Sequence, residues 1–281
     1  MTMTSHTASK TNERVGRIRV GIGGWSYEPW RTTFYPSDLP KQRELYYASR
    51  QVTTIEINST FYRLQSPRVF AKWYEETPAN FVFSIKAPRY IVQRRVLAGV
   101  REHVEKFLNS GLTELREKLG PILWQLPPQT TFVPEDLESF LQNLPRRLGE
   151  LPLTHALEVR HESFRCPEFV DLARRHRVAV VYTHSRDYPA IADATGDFMY
   201  LRLREASSAE PTGYPPSELD AWLRRAYMWA QGETPEDVPG LLPAKEAKAR
   251  DVFVYFINGA KERAPAAAVA LLSLMGTPGA R

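Results

Sequence analysis

The feature that most constrains the fold is a regular alternation of short β-branched, apolar segments with longer amphipathic ones. Eight segments have the composition of buried strands, and most of the stretches between them carry apolar residues at i, i+3, i+4 spacing. The eight strand segments are 18–25, 53–60, 81–87, 121–126, 154–161, 178–184, 198–204 and 251–258. Eight such alternations predict an α/β fold, a closed parallel (β/α)8 TIM barrel in a single domain, rather than an open doubly wound sheet.

Two stretches do not follow this alternation of strand and helix patterns. The segment "SRDYPAIADATGD", after the sixth strand, is too short and polar to predict a helix, and the Pro/Gly-rich stretch "QGETPEDVPGLLPAKEAKARD" is a connection before the last strand. "GIGGW" is rich in glycine but lacks the spacing of a dinucleotide-binding fingerprint.

The chain ends and the composition indicate the extent of the domain, its compartment and the kinds of partner to expect. Residues 1–17 are polar and without an apolar core, so we predict a disordered tail, not a signal peptide, before a single domain over 18–281. The single cysteine, Cys166, excludes an intramolecular disulfide and favours the cytoplasm. No apolar run is long enough for a membrane span, so we expect no membrane partner. The net charge of +5 permits an anionic ligand without requiring one.

The second strand, "TTIEIN", carries polar residues where a barrel strand faces the interior. Side chains alternate between the two faces of a strand, so Ile55 and Ile57 should face the helices while Glu56 and Asn58 point inward. Their place near the end of the strand matters, because TIM-barrel active sites are built at the C-terminal ends of the strands.

The same phase on the other strands predicts an inward polar set, although the sixth strand is ambiguous between Thr183 and His184. The set is Glu56, Asn58, Lys86, Gln125, Glu158, Arg160, Arg202 and Asn258. It holds two acids and three bases, so internal pairing leaves a surplus positive charge that an anionic ligand could neutralise. The alternative is an ion-pair network that merely plugs the barrel.

The loops after the first three strands add aromatic and cationic side chains. Trp25, Trp30, Phe61 and Tyr62 follow the first two strands, and an arginine-rich stretch, "PRYIVQRR", follows the third. Aromatic rings beside arginines suit stacking on a ring or base and phosphate capture. Alternatively, the rings only cover the end of the barrel.

Several motifs, in order, resemble the YecE-like family, known as domain of unknown function 72. They are "IGGWSYEPWRTTFYP", "TIEINSTFYRLQSPRVFAKWYEETPANFVFSIKAPRYI", "KLGPILWQLPP", "LEVRHESF" and "VFVYF". The resemblance implies a TIM barrel without an established function. It also marks Trp25, Ser26, Tyr62 and His161 as motif positions beside the inward set. Two places depart from the family pattern. Arg204 and Glu205 stand where many members have His-Gly, and Gly259 replaces an acid.

The favoured hypothesis is a protein that binds, and as an enzyme would act on, a small anionic or phosphorylated ligand. Glu56 and Glu158 are the candidate acid and base of a hydrolase or isomerase. They lie nearly across the barrel, so we expect them to meet only through a ligand or water. The candidate ligand-binding residues are Trp25, Ser26, Asn58, Tyr62, Lys86, Gln125, Arg160, His161, Arg202 and Asn258.

Two other functions stay open at this point. Nucleic-acid binding or processing is suggested by a loose fold analogy with endonuclease IV, but the mild charge argues against strong binding. A non-catalytic binding barrel is the other. The inward acids Glu56 and Glu158, even with His161, His184 and Glu205 as possible further ligands, are too few to predict a multi-metal site, and a single weakly held divalent ion stays open. No cofactor is expected, and the oligomeric state is left open.

Overall fold

The computed structural model describes residues 15–238 and 240–276, and within them the predicted barrel is confirmed. Eight parallel strands pair in chain order, and the last pairs with the first, with Val20 opposite Val254. The strands are β1 Ile18–Gly23, β2 Thr54–Ile57, β3 Val82–Lys86, β4 Leu119–Gln125, β5 His155–Glu158, β6 Ala179–His184, β7 Phe198–Leu203 and β8 Asp251–Phe256. Closure leaves the barrel without a free sheet edge.

Helices cover the outside of the barrel. They are α1 Trp30–Thr33, α2 Glu44–Gln51, α3 Ser59–Tyr62, α4 Pro67–Glu76, α5 Arg89–Val92, α6 Arg101–Leu108, α7 Pro134–Gln142, α8 Pro167–Arg175, α9 Pro216–Gln231 and α10 Ala264–Met275. Short 3₁₀ turns occupy Lys41–Arg43, Leu112–Lys118, Glu162–Phe164 and Lys261–Arg263. Pro67, Pro134 and Pro167 begin their helices, where a missing backbone N–H costs nothing.

One predicted helix is wrong in extent. The stretch from Gly99 to Gly120, whose apolar residues at i, i+3, i+4 spacing predict one helix, divides into α6 and the 3₁₀ turn Leu112–Lys118 because Gly111 has a φ of +125°. A Cβ there would lie 2.6 Å from the Cα atom of Pro67, so the close approach of α4 requires glycine. Residues 185–197, all of them described, contain no helix, as the sequence indicated.

The barrel has an outer and an inner apolar layer, and the predicted strand phase holds. Ile55 and Ile57 are buried in the layer between strands and helices. A separate inner cluster fills the interior, and its members are Val82, Leu123, Ala156, Ala179, Val181, Phe198, Tyr200, Phe253, Tyr255 and Ile257. The position of Val181 in this cluster resolves the ambiguity of the sixth strand. Thr183 has the inward phase, while His184 packs on Trp222, with ring centroids 4.8 Å apart.

The predicted tail, residues 1–17, lies mostly outside the described residues. Within the described part, the backbone N–H of Gly16 donates to the carbonyl oxygen of Ala230 at 2.9 Å, and that of Arg17 donates to Asp251. The chain is therefore attached to the barrel from Gly16 onward. A search of the described residues finds no helix with the length and apolar character needed to cross a membrane.

Candidate functional site

A charged layer crosses the barrel interior near the C-terminal ends of the strands, and Arg202 of β7 is its centre. Its Nε and Nη2 atoms donate to the two carboxylate oxygens of Glu56, at 3.1 and 3.0 Å. Its Nη1 atom donates to Glu158 on the opposite side. Both carboxylates are 0% exposed and Arg202 is 2% exposed. One guanidinium therefore joins two buried acids in a geometry that satisfies its planar fork.

The expectation that Glu56 and Glu158 meet only through a ligand or water was wrong. The Arg202 side chain reaches the middle of the barrel, so the acids of β2 and β5 bind the same cation. The link forms because the side chains of these residues on β2, β5 and β7 all point inward and because an arginine side chain is long.

Glu158 has two further partners. Its Oε1 atom accepts from Nε of Arg160 at 2.9 Å, and its Oε2 atom accepts from the side-chain amide of Gln125 at 2.8 Å. Burial alone would raise the pKa of Glu158, but the positive charges of Arg202 and Arg160 and the Gln125 hydrogen bond outweigh it and lower that pKa to about 2. Glu158 is therefore ionised at neutral pH.

A layer of hydroxyl groups lies directly beneath the charges. The Tyr200 hydroxyl donates to Glu56 at 2.7 Å and is 2.8 Å from the hydroxyl of Ser84. Tyr255 pairs in the same way with Thr54 at 2.8 Å, and the rings of the two tyrosines are 4.9 Å apart. Two packed tyrosine rings therefore lie beneath the charged layer, and the hydroxyl group of each is hydrogen-bonded.

A cavity of about 820 Å³ opens above the charged layer at the C-terminal ends of the strands. It is lined by nine of the twelve predicted site residues, namely Trp25, Ser26, Asn58, Tyr62, Lys86, Gln125, Arg160, Arg202 and Asn258. Glu56 and Glu158 lie beneath this lining. His161 lies outside it, where its Nδ1 atom accepts from the backbone N–H of Ser163 and caps the turn Glu162–Phe164.

Four cations that line the cavity have no acidic partner among the described residues, and three of them, unlike the exposed Arg63, are partly buried. Lys86, Arg204 and Lys261 all border it, and no carboxylate of the described residues lies within 4 Å of their nitrogen atoms. Burial lowers the pKa of Lys261, and its ammonium nitrogen is 4.3 Å from the ring centroid of Tyr27. The predicted surplus of positive charge is therefore present and is concentrated in this cavity.

Tyr188 is a site neighbour that sequence analysis missed. The guanidinium carbons of Arg160 and Arg204 lie 4.5 and 4.9 Å from the centroid of its ring. Stacking on an aromatic ring holds both groups without neutralising them. Tyr188 stands in the irregular segment after β6, where no strand or helix pattern indicates the direction of a side chain.

The loop after β1 is held by a second missed residue, Glu44 of α2. Its carboxylate accepts from the Ser26 hydroxyl at 2.6 Å and from Arg31 at 2.9 Å. The indole of Trp30 donates to the carbonyl oxygen of Lys261 at 2.9 Å, which ties this loop to the one after β8. Trp30 is buried and also lines the cavity, so its indole forms part of the cavity wall and connects the two loops.

The described part of the chain offers no cluster of protein ligands for a metal ion. Among residues 15–238 and 240–276, no group of three or more His, Cys, Asp or Glu side chains is close enough together to bind one. His184 and Glu205, which the sequence left possible, face other partners. His184 packs on Trp222, and Glu205 accepts from the backbone N–H of Arg186 at 2.9 Å.

Comparison with known proteins gives the family of this barrel. The model of the family described as "Protein of unknown function DUF72" matches residues 19–281, nearly the whole chain. The chain belongs to the DUF72 family. The resemblance noted from the motifs is thereby confirmed.

Relatives and a solved structure of the DUF72 family agree with the barrel. The chain is 26% identical to the UPF0759 protein YunF of Bacillus subtilis over 257 residues, covering 86% of this chain and 88% of YunF. It is 31% identical to the UPF0759 protein YecE of Escherichia coli K12 over 150 residues, about half of each chain. The crystal structure of a DUF72 family protein from Thermotoga maritima superposes with a TM-score of 0.73 at 22% identity, covering 93% of this chain and 100% of that one.

The two departures from the DUF72 pattern noted in the sequence are in contact. The backbone N–H of Ala260 donates to the carbonyl oxygen of Ala206 at 2.8 Å, which joins the loop after β8 to the loop after β7. Gly259 has a φ of +58°, and a Cβ there would lie 2.6 Å from the oxygen of Ala206 and 2.7 Å from that of Arg204. With these loop paths, an acidic side chain at 259 has no space.

Adding a side chain at Gly259 should therefore lower the stability of the fold. We expect Gly259→Ala to lower the free energy of unfolding by about 2 kcal/mol, because it combines a left-handed backbone with overpacking. Gly149 has the same φ of +58° with nothing within 4 Å of its Cβ position, so Gly149→Ala measures the backbone effect alone, about 1 kcal/mol. Urea unfolding of both variants gives the comparison, and equal losses would contradict the crowding.

Proposed function

We propose that this DUF72 protein binds a small anionic ligand in the cavity at the C-terminal end of its barrel. The observation that carries the proposal is the local charge balance. Glu56 and Glu158 are matched by Arg202 and Arg160, and Lys86, Arg204 and Lys261 add three positive charges without acids. Partly buried cations without counter-charges are unfavourable, and a phosphate or carboxylate placed among them removes that cost.

The size and walls of the cavity narrow the ligand class. About 820 Å³ is in the range of pockets for metabolite-sized molecules, such as a phosphorylated sugar or nucleotide. Trp25, Phe61 and Tyr62 supply rings along one part of the lining, while the guanidinium groups of Arg160 and Arg204 suit bidentate anion binding. The ligand we propose has an anionic end beside Arg160 and Arg204 and an apolar or planar part against the rings.

The buried acids have a defined part in this proposal. Glu56 and Glu158 fix the orientation of Arg202, and Glu158 also fixes Arg160. Because its pKa is about 2, Glu158 is better suited to act as a fixed counter-charge than as a proton donor or a base. Whether the pair performs acid–base catalysis, as a hydrolase or isomerase would require, stays a prediction, as does the cytoplasmic location.

Removing one of the unpaired cations should weaken anion binding by about 10- to 100-fold, the value of one charge-assisted hydrogen bond. The test is a thermal-shift and calorimetric titration of the full-length protein with inorganic phosphate, glucose 6-phosphate, adenosine monophosphate and citrate at low salt. Arg204→Met and Lys261→Met should each lose affinity for the anion that binds best. A bound anion raises the melting temperature by mass action.

The matched control is Lys106→Met, which removes one positive charge from the exposed face of α6. It changes the net charge equally but leaves the cavity intact, so anion affinity should stay within about twofold of the wild type. An equal loss in all three variants would show that only long-range charge matters and would contradict the proposed site.

A second function, nucleic-acid binding, is favoured by the aromatic rim of the cavity. Tyr62 is 68% exposed, Tyr90 is 38% exposed, and the guanidinium of Arg89 is 5.9 Å from the Tyr62 ring. Exposed rings beside arginines suit stacking on unpaired bases. A short single-stranded oligonucleotide in the same titration decides between the two functions. Stabilisation by the oligonucleotide alone, lost in Tyr62→Ala, would replace the small-ligand proposal.

A further inference from the structure

Lys86 differs from the other inward cations of the barrel. It is the last residue of β3, continues the inward phase of Ser84, and lines the cavity. Its ammonium nitrogen lies 4.1 Å from the centroid of the Phe61 ring. Arg202 and Arg160 are both bound to carboxylates, but no described residue gives the Lys86 nitrogen a hydrogen bond or an ion pair. The end of this side chain is thus available to a ligand.

The surroundings of Lys86 disfavour its charged form. Burial lowers its pKa most, and the neighbouring Arg202 and Arg160 lower it further. Glu56 and Glu158 act in the opposite direction, but their charges are largely taken up by those two arginines, and the result is a pKa of about 8. Roughly a tenth of the side chain is then the neutral amine at pH 7. A neutral amine at the edge of a cavity is a nucleophile.

We propose that Lys86 is a nucleophilic amine that forms an imine with the carbonyl group of an anionic ligand. The proposal deepens the proposed function and rests on it, since the ligand is held by its anionic group. The substrate class is a small carbonyl compound bearing a carboxylate or phosphate, which means a 2-oxo acid or a phosphorylated aldehyde or ketone.

The chemistry needs only the two reactants. The lone pair of the neutral Nζ atom attacks the carbonyl carbon, and the oxygen takes a proton as the nitrogen loses one, which gives a carbinolamine. Departure of the hydroxyl group with the second nitrogen proton, as water, leaves the C=N bond. No oxidant or reductant takes part. Phe61 covers the nitrogen on one side, while the anionic group of the ligand lies towards Arg160 and Arg204.

Reductive trapping tests the proposal on the full-length protein. The protein is incubated with pyruvate, or separately with glyceraldehyde 3-phosphate, then treated with sodium borohydride and mapped by peptide mass spectrometry. We expect Lys86 to be labelled at least about tenfold faster than the exposed Lys41 and Lys72 at pH 7. Labelling with pyruvate alone or with the aldehyde alone tells which class the site takes. Labelling of Lys86 at or below the rate of the exposed lysines with both probes overturns the proposal.

Two further measurements separate specific chemistry from general lysine reactivity. The Lys86 labelling rate should rise with pH and reach half its maximum near pH 8, following the neutral amine. Lys86→Arg should remove the label, and Lys41→Arg should leave it unchanged. The peptide map and pH profile of the wild-type protein stand even if the Lys86 variant fails to fold. A flat pH profile would contradict the proposed amine.

Failure of the imine proposal can be distinguished from failure of the anion-binding proposal. Lactate and glycerol 3-phosphate are the matching anions without a carbonyl group. If one of them binds in the cavity and Lys86 is not labelled, the imine proposal fails and anion binding stands. If neither these analogues nor any of the anions titrated above binds, and neither probe labels Lys86, both proposals fail.

Discussion

Replacing Arg202 with methionine should destabilise the protein by about 3–5 kcal/mol, the usual cost of removing one partner of a buried ion pair. Glu56 and Glu158 would both lose their shared cation while remaining 0% exposed in the barrel interior. Urea unfolding followed by circular dichroism measures the loss. A change below about 1 kcal/mol would mean that the charged layer is solvated and is not a structural element.

Two further variants test whether the loss of stability comes from the buried carboxylates that lose their cation. Arg204→Met alters the same residue type two positions along the chain, where no carboxylate of the described structure forms an ion pair with it, so a much smaller loss is expected. Adding Glu56→Gln and Glu158→Gln to Arg202→Met removes the uncompensated charges and should recover a large part of the lost stability. Failure of this triple variant to recover would place the cost in packing instead of charge.

The protein should lose about 3 kcal/mol of stability between about pH 4.5 and pH 2 from Glu158 alone. The pKa of Glu158 is about 2 in the folded protein against 4.5 as its ordinary value. A lowered folded pKa contributes stability that is present above the unfolded value and is lost as the pH falls through the folded one. Unfolding free energies at a series of pH values measure this slope.

Glu158→Gln is the variant that isolates the acid effect. The difference in stability between the wild type and this variant should narrow as the pH falls to 2, because the wild-type carboxylate becomes protonated. His155 titrates in a higher window, since burial lowers its pKa from 6.5 to about 4, and it remains in both proteins. A constant difference across the acid range would contradict the assignment of a low pKa to Glu158.

The barrel and its inward residues were predictable because both depend on short-range periodicity. Alternation with a period of two places Glu56, Lys86 and Arg202 inside once the strands are recognised, and this holds whatever the exact strand ends. The shared contact of Glu56 and Glu158 with Arg202 was not predictable in the same way. It depends on how far an arginine side chain extends across the interior, and strand periodicity carries no information on that distance.

Residues beyond the strand ends show where such prediction stops. The fifth predicted strand extended to His161, which the family resemblance marked as a motif position, but β5 ends at Glu158, and the chain then turns so that His161 caps the following 3₁₀ turn. Tyr188 was missed for the same reason, because the loop after β6 has no periodicity from which to infer a direction. Loop positions are set by tertiary contacts, and at Tyr188 these contacts are two guanidinium groups from other elements.

The backbone contact between the loops after β7 and β8 has a consequence for protein engineering. Gly259 and Ala206 approach so closely that any side chain at 259 requires a different path of the loop after β7. A chimera that transplants one loop from another barrel of this family should therefore misassemble, whereas exchanging both together should be tolerated. The two loops should therefore be redesigned as one unit in any attempt to alter the C-terminal end of the barrel.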